Sequence, residues 1–149
     1  MKNIIVAKIM FGSCSDDLNL NDEQAENNIR DAQDLDEASA IKIISKYIGC
    51  SFDVSNTMSD TSSIITTTEE IECKQLKITE IDYDEYEFPR VCAEATFEID
   101  SPIKLTNKII SNWEKENDDS LVMAVNFYWK DGEDKLYFDG EEGIAVKVA

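Results

Sequence analysis

The stretch from Arg90 to Ile99 constrains the fold more than any other part of the chain. Val91, Ala93, Ala95, Phe97 and Ile99 alternate with Arg90, Cys92, Glu94, Thr96 and Glu98. Neighbouring side chains of a strand point to opposite sides of a sheet, so a period of two means a strand with one dry face and one wet face. The rest of the chain reads around this strand. Ile4 to Phe11 suits a strand buried mainly on both faces, since Ile5, Ala7, Ile9 and Phe11 alternate with Ile4, Val6, Lys8 and Met10; Gly12 to Asp17 ends it. Ile71 to Tyr83 is strand-like, and Phe88-Pro89 marks the turn into the Arg90 strand. The tail reads as a meander of Leu121 to Trp129, Leu136 to Phe138 and Ile144 to Val148, turning at Asp131-Gly132 and Asp139-Gly140.

Three helical segments accompany the strands. Asn21 or Asp22 caps a short first helix. Asp34 and Glu37 have the spacing of a capping box, and a second helix runs from Leu35 to Ile48 with Ala38, Ile41, Ile44 and Ile48 on one side and Gly49 just past its end. A third opens at Ser101-Pro102 and reads to about Glu116, with Leu105, Ile109 and Trp113 inward. Between Ser55 and Thr68 there are nine Ser or Thr in 14 residues, which fits either a loop or a polar edge hairpin around Ile64 and Ile65. The expected fold is α+β: residues 1–149 as a single acidic domain, with a single antiparallel, mostly meander sheet and helices packed on one face.

Composition narrows function. Fourteen Lys and Arg stand against 32 Asp and Glu, with no histidine, giving a net charge of −18. Phosphate binding relies on Lys and Arg displacing counterions, so direct nucleic-acid binding is disfavoured, and anionic membrane surfaces likewise. The longest uncharged run, Ser120 to Trp129, is 10 residues, half of what a membrane-spanning helix needs. The apolar run at Met1 to Ala7 is cut by Lys8 and no small-residue cleavage site follows, so a first strand is expected rather than a signal peptide. Cys14, Cys50, Cys73 and Cys92 lie 36, 23 and 19 positions apart, with no C-x-x-C and no histidine to complete a zinc site. Free thiols in a reducing, cytoplasmic compartment are expected, and no cofactor.

Without histidine there is no Ser-His or Cys-His catalysis, and no glycine-rich phosphate loop is present. Glu72-Cys73-Lys74, with Asp53 or Asp60 upstream, resembles the PD-(D/E)xK nuclease site, in which two carboxylates hold a metal ion and the lysine stabilises developing charge. No proline precedes either acid, and Glu133-Asp134-Lys135 matches E-x-K equally well. The plainer reading is a solvated Lys74. The acids of Asp131-Gly132-Glu133-Asp134 and Asp139-Gly140-Glu141-Glu142 suit calcium, but without EF-hand spacing they read first as hairpin turns.

The richest segment is Glu80 to Phe88, where five acids alternate with three aromatics at the end of a strand. Asp82, Tyr83, Asp84, Glu85, Tyr86 and Glu87 are the candidate partner-binding residues: rings among carboxylates fill pockets between the arginines of a partner. In the plainer reading Tyr83 and Phe88 belong to the core. A second acidic concentration, Asp16 to Glu37, has nine acids and Arg30 as its one base.

In size, charge and missing catalytic groups the chain resembles toxin-immunity proteins, phage-encoded inhibitors of bacterial nucleases and DNA mimics. That resemblance implies a binding protein rather than an enzyme, one that covers a basic surface on a nucleic-acid-handling protein or toxin. A metal-dependent hydrolase or nuclease with a carboxylate site, and an oligomeric structural or scaffold component, are the alternatives.

Overall fold

The computed structural model describes residues 1–11, 22–53, 59–66, 70–83, 89–119, 121, 125–132, 134–138 and 141–148. In chain order the elements are β1 (Lys2–Phe11), α1 (Glu23–Asp31), a 3-10 turn (Ala32–Asp34), α2 (Glu37–Ile44), β2 (Ile48–Asp53), β3 (Glu70–Glu72), β4 (Gln75–Tyr83), β5 (Pro89–Asp100), α3 (Asn107–Asn117), β6 (Val125–Asp131), β7 (Asp134–Phe138) and β8 (Glu141–Val148). The strands form two antiparallel sheets, in the orders β4-β5-β1-β8 and β3-β2-β6-β7.

Two sheets, not one, correct the sequence expectation, although the α+β character stands. Ile71 to Tyr83 reads as one strand because its apolar pattern barely breaks, yet the chain changes sheets at Cys73-Lys74. The Cys73 amide donates to Cys50 O at 2.9 Å in the second sheet, and the next amide, of Lys74, donates to Thr96 O at 2.7 Å in the first. The tail meander is likewise divided. β6 and β7 form the expected hairpin, pairing Phe127 with Phe138 and Asp131 with Asp134, but β8 crosses to β1 and sets Val148 opposite Ile5. Alternation fixes which side of a strand is dry, and long-range pairing decides which sheet it joins.

The dry faces meet in a shared core. Ile5, Ala7 and Ile9 of β1, Ile78 and Ile81 of β4 and the Val91-to-Ile99 row of β5 are buried with Ile48, Cys50, Phe52, Ile71, Phe127 and Trp129 of the second sheet. Phe52 meets Phe97 edge-to-face across the layers, centroids 4.8 Å apart at 82°. β1 is therefore buried on one face only: Ile4 remains 42% exposed and Met10 36%. β5 behaves as its alternation says, with every second residue buried.

The helix boundaries also shift. α1 is capped by Asp22, whose carboxylate accepts from Gln24 N at 3.0 Å and Ala25 N at 3.3 Å, while Asn21 lies outside the described residues. α2 is capped by Asp36, accepting from Ser39 N at 2.7 Å, rather than by Asp34. It ends at Ile44, four residues early, because Ile48 opens β2. Gly49 serves a different purpose from helix termination: a Cβ there would stand 2.5 Å from the Tyr128 ring, so only glycine lets that ring lie across β2. α3 starts at Thr106, which accepts from Ile109 N at 3.2 Å, so Ser101-Pro102 precede the helix; its buried residues are Ile110 and Trp113. In the Ser/Thr-rich stretch, residues 59–66 form a turn rather than a hairpin, with the Ile64 and Ile65 amides donating to Thr61 O and both side chains sunk into the core.

Candidate functional site

The acidic segment of residues 22–37 folds as α1, the 3-10 turn and the start of α2. Seven acids and one base lie in it. Asp22, Glu23, Asp31, Asp34, Asp36 and Glu37 are exposed; Glu26 is half-buried and takes Arg30 into an ion pair of 2.7 Å. Two of the acids are local tools. Asp22 caps α1, and the Ser39 amide that Asp36 caps holds the Asp36 carboxyl below its ordinary range. Burial of Ala25, Ile29, Ala40 and Ile44 turns the acid-bearing sides outward.

Two tyrosines fasten this unit to the sheets. Tyr47 accepts from Asn28 Nδ2 at 3.0 Å, and its carbonyl accepts from the Lys130 amide of β6 at 2.7 Å. Tyr83, at the end of β4, donates its hydroxyl to Ile29 O in α1 at 2.5 Å. Burial pushes the Tyr83 phenol well above its ordinary pKa, which keeps it a neutral donor. Between the helices lies a groove of about 330 Å³ lined by Asn28, Asp31, Ala32, Leu35, Ile43, Lys46 and Tyr47. Leu35 stays 47% exposed there, between Asp34 and Asp36.

The candidate residues of the acidic-aromatic segment are divided by the pleat. Asp82 is exposed on the wet side of the first sheet, opposite Arg90. Tyr83 points the other way, to α1, so it acts as a structural bolt and not as a projecting ring. Asp84, Glu85, Tyr86, Glu87 and Phe88 lie outside the described residues, as do Gly12 to Asp17, Cys14 and Asp139-Gly140. The groove and Leu35 are what the sequence reading missed. The available signal was one large apolar residue flanked by acids, read there as a helix start.

The nuclease-like triplet is taken apart. Lys74 pairs with Glu98 of β5, and Glu72 instead receives Lys135 Nζ at 2.5 Å and the Tyr128 hydroxyl at 2.7 Å. Burial raises the Glu72 carboxyl, but those two bonds outweigh it and the net shift is downward. Asp60 accepts from Ser62 N in its own turn, and Asp53 stands opposite Glu70. Among the described residues no three acids, cysteines or histidines are grouped to hold a metal ion. Gly132 sits in the β6–β7 turn at φ +64°, the left-handed backbone that a D-G hairpin requires, with open space where a Cβ would stand. Among the described residues no helix is long and apolar enough to cross a membrane. No family model matches the chain, and neither the curated proteins nor the solved structures contain a match to it.

Proposed function

We propose that this protein acts by binding rather than catalysis, as an acidic antagonist that covers a basic nucleic-acid-binding or catalytic surface of a partner protein in the cytoplasm. The observation that carries this reading is the groove of mixed lining, with Ala32, Ile43 and the exposed Leu35 as its apolar part, beside an acidic helical surface. Protein interfaces combine an apolar anchor with a polar rim, and a rim of one sign steers a partner of the other. Asp82 stands exposed next to Tyr83, at the strand end that Tyr83 holds against α1. A nucleic-acid-handling protein or toxin offers the complementary Lys- and Arg-lined groove.

The full chain, immobilised, is tested for partners in lysate at low salt, and each is then offered duplex DNA or RNA in competition. Stoichiometric displacement of nucleic acid from a basic partner is the expected result. Charge reversal of Asp31, Asp34 and Glu37, or of Asp82, Asp84 and Glu85, then slows association at least about tenfold and flattens its salt dependence, while Leu35→Ala speeds dissociation. Unchanged rates and salt dependence in both triple variants would overturn the reading.

A further inference from the structure

The wet face of the first sheet is unlike the rest of the molecule. By strand register it carries Lys2, Ile4, Val6, Lys8 and Met10 from β1; Arg90, Cys92, Glu94, Thr96, Glu98 and Asp100 from β5; Gln75, Lys77, Glu80 and Asp82 from β4; and Lys147 from β8. Five bases therefore face five acids, and register adds a sixth acid, Glu141 of β8, opposite Met10. A molecule with net charge −18 keeps one face close to neutral and assigns to it more than a third of its 14 bases. The charges are interleaved. Glu98 holds Lys2 at 3.1 Å and also Lys74, and these lysines keep its carboxyl below the ordinary range; Glu94 stands between Lys8 and Lys77 in register. Along β1, one of the two inner strands, Ile4, Val6 and Met10 form an apolar row broken by Lys8, with Ile4 and Met10 among the large apolar side chains left exposed.

We propose that this face is where two copies of the chain meet, wet sheet face against wet sheet face about a two-fold axis. Two copies at −18 repel each other through any acidic surface, and a neutral face is where that repulsion is least. Two-fold symmetry brings the same patch to both sides, so a patch with both signs in alternate rows can offer lysines to carboxylates in each direction. The size is adequate. Four strands about 4.8 Å apart and ten residues long at about 3.3 Å each give roughly 600 Å² in projection. Standard interfaces cover about 800 Å² of accessible surface per partner, and side-chain relief lifts the projected figure toward that value. The apolar row supplies the centre and the charged rows the rim. This inference does not rest on the proposed function, whose groove lies on the helical side; Asp82 alone is common to the two, so the Asp31, Asp34 and Glu37 reversal is the variant that separates them.

Sedimentation velocity of the full chain, from micromolar to millimolar concentration, tests it. A monomer–dimer equilibrium is expected, and it tightens as sodium chloride rises from about 0.1 M to 1 M, because screening removes whole-molecule repulsion while the apolar row is unaffected. Association with a basic partner weakens under the same change, so the two readings fail separately. Ile4→Ser with Met10→Ser, which leaves the charge unaltered, should weaken the dimer at least about tenfold, while Leu35→Ser in the helical groove leaves it unchanged. The unmodified chain gives an independent readout. Cys92 lies opposite Met10 on this face, so its alkylation, located by peptide mapping, should slow as protein concentration rises. A chain that stays monomeric throughout, a dimer indifferent to the Ile4/Met10 variant, or a Cys92 rate independent of concentration would each overturn the proposal; a foreign protein is then the remaining occupant of the face.

Discussion

On the helical side, residues 22–37 set seven acids against Arg30 alone, whereas the wet face of the first sheet sets six acids, Glu141 included by register, among five bases. The helical acids sit on short elements joined to the sheets through the Tyr83 hydroxyl and the Tyr47 carbonyl; the sheet face is a four-stranded ladder whose charges are spaced by the pleat. Both surfaces expose large apolar residues, Leu35 on one and Ile4 and Met10 on the other. The difference lies in the company these residues keep. Leu35 sits between Asp34 and Asp36 in a groove that Asp31 and Lys46 both line, so acids outnumber the one base around it and favour a partner of opposite sign. An apolar row edged by both signs in near balance is instead compatible with itself.

The largest expected effect separates what holds the helical side from what decorates the sheet face. Ile29 is fully buried beneath α1, so Ile29→Ala should cost about 2–5 kcal/mol through lost burial and a residual cavity. Ile4→Ala, on the wet face, should cost less than about 1 kcal/mol in dilute monomer. Urea denaturation of both variants measures this. A costly Ile4→Ala would break the comparison, since it would mean that Ile4 is packed in the monomer.

Tyr83 gives an intermediate effect. Tyr83→Phe keeps the ring and removes its hydroxyl from Ile29 O, which should cost about 1 kcal/mol near neutral pH. The native phenol pKa is raised by burial, so the neutral form is favoured in the fold. Its contribution is therefore fully present below the unfolded value of about 10 and is lost as pH rises through the higher native one. The parent should lose stability on alkaline titration faster than Tyr83→Phe, and the two curves should converge. Parallel curves would place the hydroxyl in solvent and detach the acidic strand end from α1.

The same two regions show where sequence reading reached and where it stopped. Both faces of β5 were legible because ten residues of alternation leave one arrangement of dry and wet sides. The sheet to which β3, β4 and β8 belong was not, since Cys73 and Lys74 are adjacent in sequence and yet pair with Cys50 and Thr96, partners 23 and 22 positions away in opposite directions. The orientation of Tyr83 was available from the pleat: with Ile81 inside, Tyr83 is inside and Asp82 outside. Reading the acidic-aromatic segment as one patch set that rule aside. The helical groove was out of reach because it arises where Tyr47, from beyond α2, meets Asn28 of α1. Gly49 misled for a local reason, as a glycine after an apolar helical row looks like a terminator until the Tyr128 ring is seen across it.

The smallest effect is the sharpest test of the charge contrast. Glu98 is half-buried and serves Lys2 and Lys74 together, while Asp34 is exposed among other acids on the helical side. Replacing either carboxylate by its amide relieves the self-repulsion of a −18 chain by the same one charge. Only Glu98→Gln also removes an attraction. In dilute monomer at low salt, Asp34→Asn should therefore raise the melting temperature slightly and Glu98→Gln should lower it or leave it level. Sodium chloride screens the distant repulsion more completely than the contact pair, so the gain from Asp34→Asn should vanish toward 1 M while the deficit of Glu98→Gln persists in part. The Glu98 carboxyl is held low in the fold, so its contribution is present above the unfolded carboxylate pKa of about 4.3 and is lost as pH falls through the lower native value. Glu98→Gln and the parent should then melt together in acid. Equal shifts of one sign at both positions, unchanged by salt, would mean that the sheet face feels the same field as the helices and that its neutrality is only a count of residues.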